Sequence, residues 1–281
     1  MELRSPLFMA LCVLVLGACG CGGREAPPGC PCAGRSLRLA TTTSVEQTGL
    51  LADLLEPFTA SNGITVQVLA VGSGQALALA REGEVDVVLV HDPDAEAAFV
   101  AAGDGVNPRR VMHNDFVLVG PPGDPAGLRG GRDATAAFRT LAAARAPFVS
   151  RGDRSGTHQA ELRLWSRAAA SSSWDGYAEA GQGQVPTLVM AGEKQAYCLT
   201  DRGTWIAVRD RLELDLLVEG DPLLHNPYSV IPVNPARHPD SRYVEAMALA
   251  GWLTSAEGQA RIGAFRMKGQ ILFHPDAVPP R

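Results

Sequence analysis

Downstream of residue 34 the 281-residue sequence holds a single cysteine, Cys198, so no disulfide framework ties the folded part together and a packed core has to do that work. A hydrophobic content of 46% is enough to supply one, which excludes disorder as the default state. Basic blocks are missing too. With 25 Lys and Arg against 30 Asp and Glu, and a net charge of −5, the chain lacks the electrostatic footprint of a nucleic-acid binder. Neither Gly-x-Ser-x-Gly nor Ser-x-x-Lys occurs, and Ser155 and His158, three apart on one helix face, have no evident acid partner, so the usual hydrolase signatures are absent. His91 and His113 each stand alone at a strand end, without the paired spacing of a metal site, and no metal ligand is assigned. No internal repeat recurs at a fixed period.

What is present begins with "MELRSPLFMALCVLVLGACG", where Arg4 precedes an apolar run from Leu7 to Leu16 that is too short to span a bilayer. This is the pattern of an export signal. Its end, Leu16-Gly17-Ala18-Cys19, resembles the lipobox of bacterial lipoproteins, which makes residues 1–18 a signal peptide and Cys19 the lipid-bearing first residue of the mature chain. Cys12 then leaves with the signal. Residues 19–36 are rich in Gly, Pro and Cys and lack apolar periodicity, as a tether does. Local disulfides and adventitious metal both remain open for Cys21, Cys30 and Cys32.

From Leu37 onward, short β-branched runs alternate with helical patterns, which predicts an α/β fold with a mostly parallel sheet. "SLRLAT", "GITVQVLAV", "VDVVLVHD" and "NDFVLVGPP" read as strands; "VEQTGLLADLLEPF", "GQALALAREG" and "DAEAAFVAAG" read as the helices between them. Further on, "RDATAAFRTLAAARA" and "SGTHQAELRLWSRAAA" are helical and flank a strand "PFVSRG", "LDLLVEG" is a strand, and the last long helical pattern breaks near Thr254. The alternation predicts two Rossmann-like lobes around a central ligand cleft, residues 37–118 with 228–281 returning to them and residues 119–227, crossing at "FVLVG" and "NPYSV".

Three Gly/Ser/Thr-rich turns each join a predicted strand to a predicted helix: "TTTS" at 41–44, "VGSGQ" at 71–75 and "SRGDRSGTH" at 150–158. Free backbone N–H groups and short hydroxyls at helix starts, on the C-terminal edge of a sheet, bind anions. In the first turn, Thr43-Ser-Val-Glu46 and Ser44-Val-Glu-Gln47 both fit the capping box, so one hydroxyl is expected to hold the helix start while Thr42 faces a ligand. The second lacks the Lys of a phosphate loop and the third glycine of a dinucleotide site, and offers Ser73 as a donor. The third brings the charge. Arg151 supplies five donors that never deprotonate, with Ser155 and Thr157 close behind in sequence. Asp153 pairs with an arginine or caps the helix.

Together with "HNDFVLVGP", "TDRGTWIA", "NPYSVIPVNP" and "GQILFHPDA", these turns resemble, in order and over nearly the whole mature chain, the tungstate-binding proteins of bacterial ABC importers. The resemblance implies a type II periplasmic-binding fold closing on one oxyanion, tungstate or molybdate, with no cofactor and no catalytic residue. It implies contacts from Thr42, Ser73, Arg151 and Thr157, with Ser155 and Thr43 as weaker assignments. It also implies delivery to a membrane permease; the chain is expected to be an exported monomer, in the periplasm or on the outer face of a membrane, held by its lipid anchor. A sulfate binder, an exported anion sensor and a secreted hydrolase are the alternatives.

Overall fold

The computed structural model describes residues 35–277; the predicted signal peptide and nearly all of the predicted tether lie outside them. The chain opens with β1 (Arg35–Thr42), a short α1 (Thr43–Glu46), α2 (Leu50–Asn62), β2 (Ile64–Val71), α3 (Ser73–Arg81), β3 (Val87–Val90) and α4 (Pro93–Ala101). The long β4 (Arg109–Gly120) leads into α5 (Ala134–Ala144), β5 (Phe148–Ser150), α6 (Gly156–Arg167), β6 (Tyr177–Glu179), α7 (Gln184–Glu193), β7 (Cys198–Asp201), α8 (Arg202–Val208) and β8 (Asp215–Val218). The return runs through β9 (His225–Pro232), α9 (Tyr243–Leu253), α10 (Ala256–Ala264), β10 (Arg266–Met267), β11 (Gln270–Ile271) and β12 (His274–Pro275).

Strand alternation sorts the apolar residues into layers on both faces of each sheet. Leu37, Leu39, Val87 and Leu89 pack with α2 and α9, whereas Ala40, Val88 and Val90 pack with α3 and with Phe99 of α4. Both faces are covered, which is why β3 reads as an unbroken apolar run. The second half of β4 repeats the scheme: Phe116 and Leu118 join α5 and α6, and Val117 and Val119 join α7 and α8. Two three-layer α/β/α lobes result.

β4 belongs to both lobes. Arg109 to Asp115 pair with β9, while Phe116 to Gly120 pair with β7 and β8, so the strand changes partners between Asp115 and Phe116. The sheet order is β12-β4-β9-β3-β1-β2. It corrects the expectation of a mostly parallel sheet: β1 is parallel to β2 and β3, but β9 runs antiparallel to both β3 and β4, because a chain that crosses to a second lobe and back must re-enter in reverse.

Other expectations need correction as well. "VEQTGLLADLLEPF" is not one helix. It breaks at Gly49, whose φ of 84° lies in the left-handed region, and the Thr48 hydroxyl accepts from Leu50 N to start α2. No side chain caps α1, so neither capping-box pattern is realised there. "TWIAVRD", whose type the sequence leaves open, is largely helical, and α7 had no strong sequence signal because Gly183 starts it without a side-chain cap.

Candidate functional site

Three of the turns lie at the C-terminal ends of β1, β2 and β5, where helix starts face outward from the sheet edges. Thr41 and Thr42 point to opposite sides. The Thr41 hydroxyl donates to Leu89 O at 2.8 Å and is structural, while the buried Thr42 hydroxyl lies 3.1 Å from that of Ser44. A shared proton between those two oxygens leaves one O–H to donate elsewhere. Thr43 is exposed at the start of α1.

Ser73 opens the nine-residue α3 and is 1% exposed, yet its Oγ has no hydrogen-bond partner. A buried hydroxyl without a partner costs about 1–3 kcal/mol.

The third turn is built around an ion pair. Arg151 Nε donates to Asp153 Oδ2 at 2.8 Å, Nη2 lies 2.8 Å from the same oxygen, and Asp153 Oδ1 accepts from Ser155 N at 3.0 Å. Asp153 therefore both aims the guanidinium and fixes the start of the twelve-residue α6. Gly152, at φ 65°, makes the tight bend between them. Ser155 caps α6, its Oγ accepting from His158 N at 3.4 Å, which leaves its own proton free to donate. Thr157 is buried one residue into the helix. His158 Nδ1 accepts from Arg154 N at 3.0 Å, so Ser155 and His158 meet through the backbone and not as nucleophile and base.

Arg151, its side chain 15% exposed, lines a cavity of about 250 Å³ together with Thr43, Ser44 and Gln47 of one lobe and Gly183, Gln184 and Thr204 of the other. Of the predicted residues, this cavity gathers Thr43 and Arg151; Thr42, Ser73, Ser155 and Thr157 are buried outside its lining. Sequence reading missed Gln184 and Thr204. Gln184 Nε2 donates to Leu199 O at 3.0 Å, and Thr204 is held by Asp201, which accepts from both its N–H and its hydroxyl. Neither carried a strong signal: Gln184 opens a helix that no side chain caps, and Thr204 lies in a segment whose type the sequence leaves open. A larger depression of about 810 Å³ beside Pro108 and Thr254 is lined by Arg109 and Arg110, of which Arg110 is paired with Asp276 and Arg109 donates to the Thr254 hydroxyl at 3.5 Å.

The lobes touch beside the turn. A Cβ on Gly156 would fall 2.6 Å from the His91 ring, so only glycine lets α6 approach the end of β3. His91 Nδ1 bonds Asn226 Oδ1 at 2.8 Å, Asn226 donates to Asn114 Oδ1 at 2.6 Å, and the imidazole lies 4.7 Å from the Tyr228 ring. Burial, reinforced by the positive charge of Arg151, lowers the His91 pKa, although the Asn226 bond and nearby Asp201 and Asp92 oppose the shift. The ring stays neutral, held by Asn226 of β9, which Asn114 of β4 in turn holds.

The chain folds as two α/β lobes joined by crossing strands, and residues 31–257 match the PBP superfamily domain. Within that superfamily the chain belongs to the family of the tungstate-binding proteins. It is 42% identical to the tungstate-binding protein TupA of Peptoclostridium acidaminophilum, over 97% of this chain and 98% of the relative. Among solved structures it is similar to tungstate-binding protein TupA of Desulfovibrio alaskensis G20 (45% identity, TM-score 0.80, 87% of this chain and 100% of that one). It is also similar to the tungstate ABC transporter structure from Geobacter sulfurreducens (47% identity, TM-score 0.75, 82% and 98%). This is a family of solute-binding transport proteins, not of enzymes.

Proposed function

We propose that the chain captures a tetrahedral oxyanion, tungstate foremost, between its two lobes outside the cytoplasm and delivers it to an ABC-type permease. The observation that carries this reading is Arg151, a shielded guanidinium whose carboxylate partner has both oxygens committed. The contacts assigned to the ligand are Thr42, Thr43, Ser73, Arg151, Ser155 and Thr157, with the free N–H groups at the starts of α3 and α6. Every one of these groups donates. A fully deprotonated dianion needs only donors, each charge-assisted bond contributing about 1.5–3 kcal/mol. Phosphate near neutral pH retains a proton that needs an acceptor, and the carboxylate of the third turn, Asp153, is turned to Arg151 and to Ser155 N.

The accompanying assignments are residues 1–18 as export signal, Cys19 as lipid attachment point, residues 19–36 as tether, and lobes of residues 37–118 with 228–281 and 119–227. The protein acts as a monomer without catalytic activity, and only its lipid meets the membrane; no helix among the described residues is long and apolar enough to cross one. Thermal-shift series with tungstate, molybdate, sulfate and phosphate test the reading and rank the first two, which charge and shape alone do not separate. Tungstate is expected to raise the melting temperature most, and Arg151→Ala to abolish the rise. If no oxyanion stabilises the protein, the reading falls.

A further inference from the structure

Away from the cleft, on the strands that carry the chain between lobes, three imidazoles share one face of the sheet. His274 of β12 pairs directly with His113 of β4. On the other side of β4, His113 lies opposite Pro227 of β9, and His225, two residues before Pro227, projects from the same face. The rings are close: centroids are 4.3 Å apart for His113 and His225 and 5.2 Å for His113 and His274. Asp276, two residues beyond His274, completes the group with its Oδ2 3.8 Å from His113 Nδ1.

Among the described residues, His113, His225 and Asp276 place one ligand atom each within 4.8 Å of one another. His113 Nδ1 is buried and makes no hydrogen bond. We infer that His113, His225 and Asp276 form a site for a divalent transition metal, of the class that imidazole prefers, such as zinc, cobalt or nickel, with His274 flanking it. The inference is independent of the oxyanion reading.

Atoms bound to one tetrahedral zinc at about 2.0–2.1 Å stand roughly 3.3 Å apart, so the present spacing needs a contraction that rotation of the exposed His225 ring supplies. Two nitrogens and one oxygen leave a fourth position for water. Arg110 donates to Asp276 Oδ2 at 3.0 and 2.6 Å, which orients the carboxylate but places a positive charge beside the ion and limits its affinity. His113 lies two residues before β4 changes partners and His225 begins β9, so a bound ion staples both crossover strands to the C-terminal strand.

Cobalt(II) and zinc titrations of the full chain test this, against His225→Ala and His113→Ala, with circular dichroism and melting temperature as folding controls. One equivalent of cobalt with visible bands but no thiolate charge-transfer absorption is expected, and at least a tenfold weaker zinc affinity in either variant. His225 is exposed, so its variant decides if His113→Ala does not fold. Binding that is unchanged in His225→Ala, that carries a thiolate signature from the cysteine-rich segment, or that does not saturate below millimolar metal overturns the site.

Discussion

Arg151 and Asp153 hold each other through one carboxylate oxygen, Oδ2, 2.8 Å from both Nε and Nη2, and Asp153 spends its other oxygen on the backbone N–H of Ser155. The guanidinium is thereby fixed to the same two-residue hinge that starts α6. Replacing Arg151 by Ala removes the charge and its fork at once, and two charge-assisted bonds correspond to about 3–6 kcal/mol, a loss of roughly a hundredfold or more in tungstate affinity. Arg151→Lys keeps the charge without the planar fork and is expected to recover only part of it. Isothermal titration of the three proteins decides. Full recovery by lysine would show that charge alone, and not the geometry set by Asp153, does the binding.

Ser73 predicts effects of opposite sign. Its hydroxyl is buried without a partner, so Ser73→Ala relieves a desolvation penalty of about 1–3 kcal/mol and should leave the ligand-free protein as stable as the parent or more so. The same change deletes a donor to the oxyanion and should weaken binding by about tenfold or more. Melting temperatures with and without tungstate give both quantities in one experiment. A variant that is less stable alone but binds normally would make Ser73 a structural residue.

Much of this was legible in the sequence, and the gaps have physical causes. Strands with both faces buried and helices with strong periodicity, such as "VDVVLVHD" and "RDATAAFRTLAAARA", declare themselves locally. The three turns were visible because small hydroxyl residues cluster where a strand meets a helix. Their engagement was not: the capping-box pattern at Thr43 to Gln47 is real in sequence, yet α1 takes Thr42 as its N-cap and so puts Val45 where the box needs Glu or Gln, while the Thr48 hydroxyl accepts from Leu50 N at the start of α2. Gln184 and Thr204 came to the cavity through tertiary placement alone. His113 looked solitary for the same reason, since strand pairing, not spacing along the chain, brings His225, His274 and Asp276 to it.

Gly156 tests whether the lobe contact belongs to binding or to folding. A methyl group there meets His91 Cε1 at 2.6 Å, and overpacking of this kind costs about 1–3 kcal/mol. His91 is pinned by Asn226 and packed against the Tyr228 ring, so it does not yield easily. If the lobes can separate, Gly156→Ala opens the cleft instead of unfolding the chain: tungstate affinity falls roughly 5- to 150-fold while the ligand-free melting temperature barely moves. A large drop in that temperature with affinity intact would mean that the lobes never part.

Glu96 supplies a pH dependence with a definite sign. Burial pushes its carboxyl up to about 7 from an ordinary 4.5, while the Asp92 backbone N–H, donating to Oε1 at 2.9 Å, opposes the shift. Between those two values the folded protein keeps a proton that the unfolded chain has lost, so this group's contribution to stability declines as pH rises from about 4.5 to about 7. The whole decline is on the order of 3 kcal/mol. His91, His113 and His225, with lowered pKa values, act the other way: the unfolded chain protonates first as pH falls below about 6.5, and stability falls with it. Glu96→Gln separates the two, because it retains the Oε1 acceptor and removes the proton equilibrium. Denaturant unfolding at pH 5 and pH 7.5 should show the parent losing stability relative to the variant as pH rises, whereas a pH-independent difference would place the Glu96 carboxyl in its ordinary range.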